Sequence, residues 1–540
     1  MHRARASISF LTTLFLIGSA PESRGDEGTL RITGYVQNQT GIFIAPDKTR
    51  FETFDGYPYP TNHGDKFGKL SMLRNTFLLD ADYKPFSWLG FKAVFRGVFG
   101  PSLSADAEAQ TPNVPGGTKW PQKRQEYVAE HFYNRAELRE VYVDLRPHKY
   151  LFIRLGRQLV GWGETGQYRL LDVINPVDST WHFGALESFE DQRIPLFMLR
   201  IVVDVPWAKG GLDTVYIPMA PYLDRSEDTV TVPLTLVGAW GLPISPRQGD
   251  ASVSSSKIRK RIFEYPDQRL QNGRAGVRWL GELGPLTYSL VYFYGHQLSP
   301  PIPKYYVTGD FSGVDVTLDF PRQHLFGFSV QSVLPFPLST MLRAEMLFEP
   351  DRTYPCYSEL KMPYKPPTPE DPTNIAKFVR KEKFTINYAL TVQQPLKIRP
   401  LNSAEVFVLA LQFYHSFIPK LKASSLERCA SAEGDCILEI PGFDSTLMRK
   451  HHFRLGGSLQ TSYLRGIITP RFRFAWVFAA NGFMEDFKDG GALLSIGVDF
   501  ALKNFKVGVE LNEFLGKDPY FGMGFFRDRD EVNLKLRYQF

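Results

Sequence analysis

The sequence predicts a single transmembrane antiparallel β-barrel of about eighteen strands, and three features of the chain lead to this prediction. First, short segments in which apolar and polar residues alternate recur along the whole chain, as in RFRFAWVF at 471–478. Second, the connections between these segments are alternately short and long. Third, the last ten residues, EVNLKLRYQF, form such a segment and end on Phe540. Short turns at one end and long loops at the other are typical of bacterial outer-membrane barrels.

Residues 1–25 are predicted to be a secretory signal peptide. The segment has a basic start, a short apolar stretch, and small residues before an expected cleavage at Asp26; Ser23 and Gly25 suit the −3 and −1 positions. Its apolar part is too short to span a membrane as a helix. An amphipathic helix at the start of a cytosolic protein is the less favoured alternative. We therefore expect residues 26–540 to form the barrel.

Composition and charge narrow the function classes. The chain is 43% apolar and 14% aromatic, and its mean hydropathy of −0.22 would suit a soluble protein. In a membrane β-barrel only every second residue of a strand faces lipid, so this average hydropathy does not argue against a membrane β-barrel. The net charge is +6, and residues 1–25 supply +2 of it, which leaves +4 for the remainder. So mild a charge on a secreted chain argues against nucleic-acid binding.

The predicted strands are separated by turns such as KPFS, RPHK and GELG and by long polar connections near 40–72, 100–136, 220–271, 296–324, 350–382 and 415–449. A soluble β-sandwich or β-helix would also alternate, but its loops would not sort by length. A propeller would repeat a blade motif, and none is found. In chain order, the predicted strands are 30–39, 73–84, 89–99, 137–147, 150–158, 192–204, 212–219, 272–281, 286–295, 325–334, 340–349, 383–394, 404–414, 450–463, 469–480, 491–501, 504–513 and 530–540.

The two faces of these strands make separate predictions. Aromatic residues near strand ends fit the girdles at the two membrane interfaces: Trp279, Tyr294, Tyr463, Trp476, Tyr538 and Phe540. The opposite face would line the lumen, with basic residues Lys92, Arg96, Arg154, Arg274, Arg278, Arg343, Arg454, Arg471, Arg473, Lys506, Lys535 and Arg537. Its acidic residues would be Asp80, Asp82, Glu140, Asp144, Glu345, Asp499 and Glu510. The excess of basic residues indicates either an electropositive lumen suited to carboxylates or phosphates, or charge ladders that only stiffen the wall.

One connection departs from this pattern. The stretch LGRQLVGWGETGQYRLLDVINPVDSTWHFGALESFEDQR at 155–193 is rich in glycine, aromatic and charged residues. Such a loop is expected to fold rather than to extend into solvent. We predict that residues 159–191 enter and constrict the lumen; the alternative is a plug that only fills it. The candidate contacts are Arg157, Trp162, Glu164, Tyr168, Asp172, Asn175 and Asp178.

At these residues the chain resembles a large proteobacterial outer-membrane family of unknown function. The signature is L-G-R-Q-x-x-x-W-G-E followed by I-N-P-x-D, which here comprises Leu155, Gly156, Arg157, Gln158, Trp162, Gly163, Glu164, Ile174, Asn175, Pro176 and Asp178. The resemblance covers about forty residues closely and the rest in architecture. Members are often encoded beside lipid- or steroid-handling exporters of the resistance-nodulation-division type, which implies transport. The barrel plan is also similar to the alginate exporter, an eighteen-strand barrel with an arginine-rich lumen.

No catalytic motif is found, and we expect neither an enzyme nor a cofactor. The patterns G-x-S-x-G, H-E-x-x-H and C-x-x-C are missing from the sequence. His451 and His452 are adjacent and would point to opposite faces of a strand, which makes a poor metal pair. A carboxylate cluster at Glu187, Glu190 and Asp191 keeps a hydrolase as a remote alternative. A structural or adhesive role for the long loops is a second alternative.

The remaining predictions concern partners and cysteines. Tyr538 and Phe540 resemble the C-terminal signal read by the barrel-assembly machinery, although a glycine frequent in that signal is missing. The other expected partners are outer-membrane lipid and lipopolysaccharide, which the basic run KIRKR at 257–261 could touch, and an inner-membrane exporter. Cys429 and Cys436 could form a loop disulfide, which would leave Cys356 as a free thiol.

Overall fold

A computed structural model describes most of the barrel and part of its connections. The described residues are 28–45, 52–54, 57–59, 67–68, 70–100, 134–166, 168–177, 181–182, 186–218, 258–264, 269–297, 302–307, 314–334, 339–357, 378–419, 436–437, 450–480, 490–516, 526 and 529–540. The predicted signal peptide, Asp178 and Cys429 lie outside them.

Eighteen antiparallel strands form one closed barrel, as the alternation predicts. Each strand pairs with its sequence neighbours, and the first also pairs with the last. The strands are β1 (Leu30–Phe43), β2 (Leu70–Phe86), β3 (Leu89–Phe99), β4 (Arg135–His148), β5 (Leu151–Gln158), β6 (Leu196–Val205), β7 (Gly210–Ile217), β8 (Arg274–Leu283), β9 (Leu286–His296), β10 (Arg322–Val333), β11 (Met341–Tyr357), β12 (Phe378–Leu396), β13 (Phe407–Phe417), β14 (His451–Gln460), β15 (Ile468–Ala480), β16 (Gly491–Leu502), β17 (Phe505–Leu515) and β18 (Glu531–Gln539).

The last strand closes the barrel. β18 pairs with β1 from Tyr35 opposite Gln539 to Phe43 opposite Glu531. Beyond the ladder, the backbone of Phe540 exchanges two 3.0 Å hydrogen bonds with Gly34. Closure pairs the backbone groups of both edge strands, and unpaired groups would be costly in a bilayer. The alternation of EVNLKLRYQF is therefore that of a wall strand.

The connections sort by length, as predicted. At one end of the barrel, here called the turn end, short turns such as 87–88 and 503–504 join the strands. At the other, the loop end, the connections are long. Two predicted strands are shorter than the observed ones. The strand predicted at 340–349 continues to Tyr357 in β11, and the strand predicted at 383–394 already begins at Phe378 in β12. Their outer parts pair with each other beyond the barrel wall, where no lipid imposes a regular apolar alternation.

Some predicted loops contain strands. Ile258–Glu264 pairs in parallel with Val314–Asp319, which pairs with Ile302–Val307, and this small sheet is separate from the barrel. Glu52–Phe54 pairs with Tyr57–Tyr59, and Cys436–Ile437 pairs with the end of β11. Most of these segments are very short, basic or proline-containing and lack period-two alternation, so the pattern missed them. Val314–Asp319 (VDVTLD) does alternate, but it is only six residues long and lies within a long polar connection.

The outward face of the wall is apolar, with aromatic residues gathered at both ends. Leu534, Leu536 and Phe77 are among its exposed side chains. Period-two alternation in the strands places these residues opposite the charged lumen-facing set. The aromatic group at the turn end includes Phe86, Trp88, Trp207, Phe505, Tyr538 and Phe540. The group at the loop end includes Tyr292, Tyr294, Phe326, Phe348, Tyr388 and Trp476.

Helical structure is sparse among the described residues. α1 (Phe189–Gln192) is a single turn, and three-residue 3-10 turns occur at Pro206–Ala208, Leu270–Asn272 and Leu464–Gly466. In the part of the chain that the structure describes, no helix is long and apolar enough to cross a membrane.

The connection between β5 and β6, residues 159–195, is here called the lumen segment, and its described residues fold back into the lumen. Its Val160, Trp162, Leu170, Leu171 and Ile174 are buried in one apolar cluster with inward-facing wall residues. The wall contributes Leu196, Met198, Val215, Ile217, Val291, Phe293, Leu325, Leu347 and Ala389 to this cluster. The main apolar core of the molecule thus lies inside the barrel, between the segment and strands β6 to β12.

Candidate functional site

Trp162 fastens the start of the lumen segment to the wall. Its side chain is fully buried, and its indole Nε1 donates a 3.0 Å hydrogen bond to Asp213 Oδ2 on β7. Asp213 also accepts from Arg200 at 2.9 Å and Arg278 at 3.2 Å. Gly276 leaves room for the indole, because a Cβ there would lie 2.8 Å from the Trp162 ring. The buried indole N–H and the buried carboxylate therefore satisfy each other.

Glu345 on β11 holds the next turn through the segment's backbone. Its carboxylate accepts hydrogen bonds from the Thr165 N–H at 2.8 Å, the Thr165 hydroxyl at 3.1 Å and the Leu171 N–H at 3.1 Å. The Glu164 N–H is a further donor. A charged acceptor with several backbone donors gives strong, directional bonds. Glu345 is thus an anchor for the segment.

Tyr168 joins the segment to β13 and β14. Its backbone exchanges two hydrogen bonds with the Gln412 amide, at 2.9 and 3.0 Å. Its hydroxyl donates to the Leu455 carbonyl at 3.3 Å. Burial raises the pKa of Tyr168 to about 12 against a smaller opposing effect of Arg454, so the phenol stays protonated. The segment therefore reaches the wall opposite its point of origin.

Asp172 and Asn175 shape the segment internally. Asp172 accepts from Arg169 at 2.8 Å and from Arg193 at 2.6 Å. Asn175 accepts from the Val160 N–H at 2.9 Å and donates to the Ile194 carbonyl at 2.8 Å. These contacts tie the two ends of the segment together. Both residues thus act as structural links within the fold of the loop.

The second half of the segment is attached at the seam between β18, β1 and β2. His182 Nε2 lies 2.7 Å from Glu531 Oε1, and its Nδ1 lies 3.3 Å from Glu187 Oε1. Glu187 also pairs with Arg74 at 2.8 Å. Burial disfavours the charged imidazole, but Glu531 and Glu187 outweigh it and raise the pKa of His182 to about 9. We call His182, Glu187, Arg74 and Glu531 the seam cluster.

The cations next to Glu187 stabilise its ionised form more than burial destabilises it. Burial would raise its pKa, but the neighbouring Arg74 and His182 hold the pKa of this carboxyl well below its usual range. Glu187 is therefore ionised and His182 protonated at neutral pH. The seam cluster is a buried network in which each charge faces an opposite one.

Backbone contacts add to this attachment. Arg96 on β3 donates to the Asp191 carbonyl at 3.2 Å. Arg139 on β4 donates to the Arg193 carbonyl at 2.7 Å. The lumen segment is thus fixed on wall strands on several sides of the barrel.

Three predicted constriction contacts remain: Glu164, Arg157 and Asp178. Glu164 lies near Arg278 and Arg343 and interacts electrostatically with both guanidinium groups. Arg157 belongs to the wall: it pairs in register with the outward-facing Val141 and Phe197, and its guanidinium lies 3.3 Å from a Glu137 oxygen. Asp178, the third, lies outside the described residues.

The predicted lumen-wall arginines face inward, and most have a partner. Arg274 is buried and donates to the Ile174 carbonyl at 3.3 Å. Arg343 also lies buried in the wall. Arg454 stacks on Tyr414 at 5.0 Å and on Tyr168 at 5.8 Å. The pairs with carboxylates are Arg96 with Glu137, Arg154 with Asp144, Arg278 with Asp213, Arg471 with Asp499 and Arg473 with Glu510.

Sequence reasoning missed several residues of the site. Glu531 is the first inward-facing residue of the last strand, so the alternation that identified Lys535 and Arg537 could have identified it. Gln412 lies on the inward face of β13 in the same way. His182 had no comparable signal, since it lies in an irregular loop.

A crevice remains between the second half of the segment and the seam. Its volume is about 460 Å³, which includes its open mouth. Tyr35, Gln37, Thr76, Trp181 and Asp191 are among its lining residues. Among the described residues there is no group of three or more His, Cys, Asp or Glu that could hold a metal ion.

Three solved structures are similar to this chain over most of its length. Acinetobacter baumannii OccAB4 is 8% identical, with a TM-score of 0.46, 96% of this chain covered and 100% of that chain. Acinetobacter baumannii OccAB3 is 8% identical, with a TM-score of 0.45 and coverages of 95% and 99%. Salmonella typhi OmpF in complex with daunomycin is 9% identical, with a TM-score of 0.36 and coverages of 95% and 98%. No curated protein matches the chain.

A family model matches residues 61–540, which include all the barrel strands after β1. With this match, the chain belongs to the family described as "Protein of unknown function (DUF1302)".

Proposed function

We propose that this chain is a passive channel of the Gram-negative outer membrane, whose lumen is constricted by residues 159–195. The observation that carries the proposal is the lumen segment itself. It enters a closed barrel with charged inner walls and is fastened there by polar contacts and buried apolar packing. In this function the long loops face the outside of the cell and the short turns face the periplasm, as in bacterial outer-membrane barrels generally.

The wall supports passage of polar solutes. Its outward face is apolar and its inward face carries Arg, Lys, Asp and Glu on most strands. A polar lumen lowers the cost of moving a hydrated solute across a bilayer, and its width and charge decide which solutes pass. No covalent step and no nucleotide are needed. Transport would follow the concentration gradient.

The attachment of the segment supports a fixed constriction. Buried bonds to Asp213, Glu345, Gln412 and Glu531 hold it on wall strands that are far apart around the barrel. A surface loop would not bury tryptophan and charged groups in this way. The segment therefore sets the narrowest part of the lumen in this proposal.

The solute class is proposed from the charge of the wall. Basic residues outnumber acidic ones on the inward face, so we infer a preference for anionic solutes over neutral ones of equal size. Polymeric and lipid-like solutes are compatible with the resemblance to exporter-linked barrels. The proposal of an inner-membrane exporter as a partner rests on that resemblance alone.

Liposome swelling tests channel function and charge preference together. Purified protein in liposomes should let small sugars and small organic anions enter, and anions should enter faster than neutral sugars of equal size. Heat-unfolded protein is the control for leakage. Liposomes that do not swell with any solute would contradict the channel, and equal rates for sugars and anions would contradict the charge preference.

A further inference from the structure

Half of the twelve predicted lumen cations are paired with a carboxylate on a nearby strand: Lys92, Arg96, Arg154, Arg278, Arg471 and Arg473. Lys92 lies 2.5 Å from Asp80, Arg154 lies 2.6 Å from Asp144, and the Arg471 guanidinium lies 2.7 Å from Asp499. Such pairs stiffen the wall and leave little net charge for a passing solute. These paired residues have the arrangement that the alternative of charge ladders predicts.

Three basic side chains beside the seam have no such pair. Lys506 on β17 is directly opposite Arg537 on β18, and Lys535 precedes Arg537 by two residues on the same inward face. In the described part of the chain, none of the three has a carboxylate within 4 Å. We call Lys506, Lys535 and Arg537 the basic triad.

The neighbouring carboxylates are engaged elsewhere. Glu510, on the same strand as Lys506, lies 2.9 Å from Arg471 and 2.6 Å from Arg473. Asp499 pairs with Arg471. Like charges directly opposite each other on a sheet are destabilising. The triad therefore concentrates positive charge that the wall does not compensate.

Arg537 is held in position without being neutralised. Its Nε donates a 2.7 Å hydrogen bond to Gln37 Oε1, and its guanidinium carbon lies 4.2 Å from the centre of the Tyr35 ring. Gln37 is itself buried. Both contacts are with neutral groups, so they fix the guanidinium and keep its charge. A pre-positioned guanidinium binds a carboxylate at a lower entropic cost.

The triad borders the opening that the lumen segment leaves. Tyr35 and Gln37, which hold Arg537, also line the crevice at the seam. Lys535 interacts electrostatically, beyond ion-pair distance, with Asp191 and Glu187 on the lumen segment. Lys506 is exposed, and its register opposite Arg537 places it on the inward face. A solute that passes between the segment and the seam would meet these three charges.

We propose that the basic triad is an anion-binding site for small solutes that carry carboxylates. The forked guanidinium of Arg537 would bind the carboxylate through two N–H donors, and the two ammonium groups would add charge attraction. This inference rests on the proposed channel function. It specifies the class of solute that the channel prefers and the residues that select this solute. Seam residues, rather than the arginines of the lumen segment, would then set the charge selectivity.

The test compares the triple variant Lys506→Gln, Lys535→Gln, Arg537→Gln with the control Lys503→Gln. Lys503 is an exposed residue in the tight turn between β16 and β17, outside the lumen. In planar bilayers with a KCl gradient, the triple variant should lower the permeability ratio of chloride to potassium on the order of fivefold, the effect of removing charges next to the ion path. Lys503→Gln should leave the ratio unchanged.

Succinate provides a second measurement that does not need conduction. Calorimetry on the detergent-solubilised barrel should detect succinate binding to wild type and Lys503→Gln, but not to the triple variant. Heat-modifiable migration checks that each variant is folded, and Lys506→Gln alone is used if the triple variant does not fold. Succinate binding without conductance would support the triad and contradict the channel. Conductance with an unchanged permeability ratio and unchanged succinate binding would overturn the triad alone.

Discussion

At the scale of single residues, the lumen segment depends on a few buried polar side chains. Glu345 and Gln412 accept or exchange hydrogen bonds with its backbone, and His182 lies between Glu187 and Glu531. Removing one partner from such a network leaves others unpaired, at a cost of about 1–3 kcal/mol for a neutral group and more for a charged one. These residues therefore decide whether the segment stays against the wall.

The charge of His182 predicts a pH dependence. Its pKa is raised to about 9 from a usual value of 6.5. The protonated imidazole therefore contributes stability that is fully present below about pH 6.5 and is lost as the pH rises through about 9. The contribution is on the order of 3 kcal/mol. We expect the thermal unfolding midpoint, followed by heat-modifiable migration, to fall between pH 7 and pH 10.

The variant His182→Gln isolates this contribution from other groups that titrate at alkaline pH. It should have a lower midpoint than wild type at pH 7, and the difference should shrink toward pH 10. If the two proteins lose stability in parallel over this range, His182 is not the group responsible.

At the scale of elements, the wall and the segment fit each other by shape as well as by charge. Gly327 on β10 faces Leu171 of the segment, and a Cβ there would lie 2.5 Å from a Leu171 methyl carbon. Leu171 is itself fully buried in the apolar cluster. The glycine therefore permits the close approach of the two elements.

We predict that Gly327→Val displaces the segment and lowers stability by about 1–3 kcal/mol, the usual cost of overpacking. Gly97→Ala on β3 is the control, since its nearest new contact is an ordinary 3.8 Å from the Phe95 ring. Denaturant unfolding from detergent or lipid measures the difference. Equal stabilities for the two variants would show that Leu171 is not packed as described.

Also at the scale of elements, the strands could be predicted from the sequence and the contacts of the segment could not. Alternation depends on two environments, lipid and lumen, and it repeats along each strand, so β14 to β18 can be recognised locally. The contact of Glu345 with Thr165, or of His182 with Glu531, joins residues far apart in the chain. Those contacts exist only once the barrel is closed, and no local pattern encodes them.

At the scale of the whole molecule, contacts of Phe540 add to the closure of the barrel by β18 and β1. The Phe540 ring stacks on Phe77 with centroids 6.5 Å apart, and its backbone pairs with Gly34. We predict that deletion of Phe540 impairs assembly in cells and leaves secretion across the inner membrane intact. Removal of the predicted signal peptide reports secretion, and the yield of heat-modifiable barrel reports assembly. A normal yield of folded barrel would contradict an assembly role for this residue.

Single-channel conductance tests the central claim, that the lumen segment constricts an open barrel, most directly. Residues 161–185 would be deleted, and an equal-length deletion in the connection 218–273 would control for the loss of a long loop. Both proteins must first migrate as folded, heat-modifiable barrels. We predict a conductance several times that of wild type for the 161–185 deletion, because described residues of the deleted part, such as Trp162 and Leu171, pack against the inner face of the wall and occupy lumen space. An unchanged conductance in that folded variant would contradict the account.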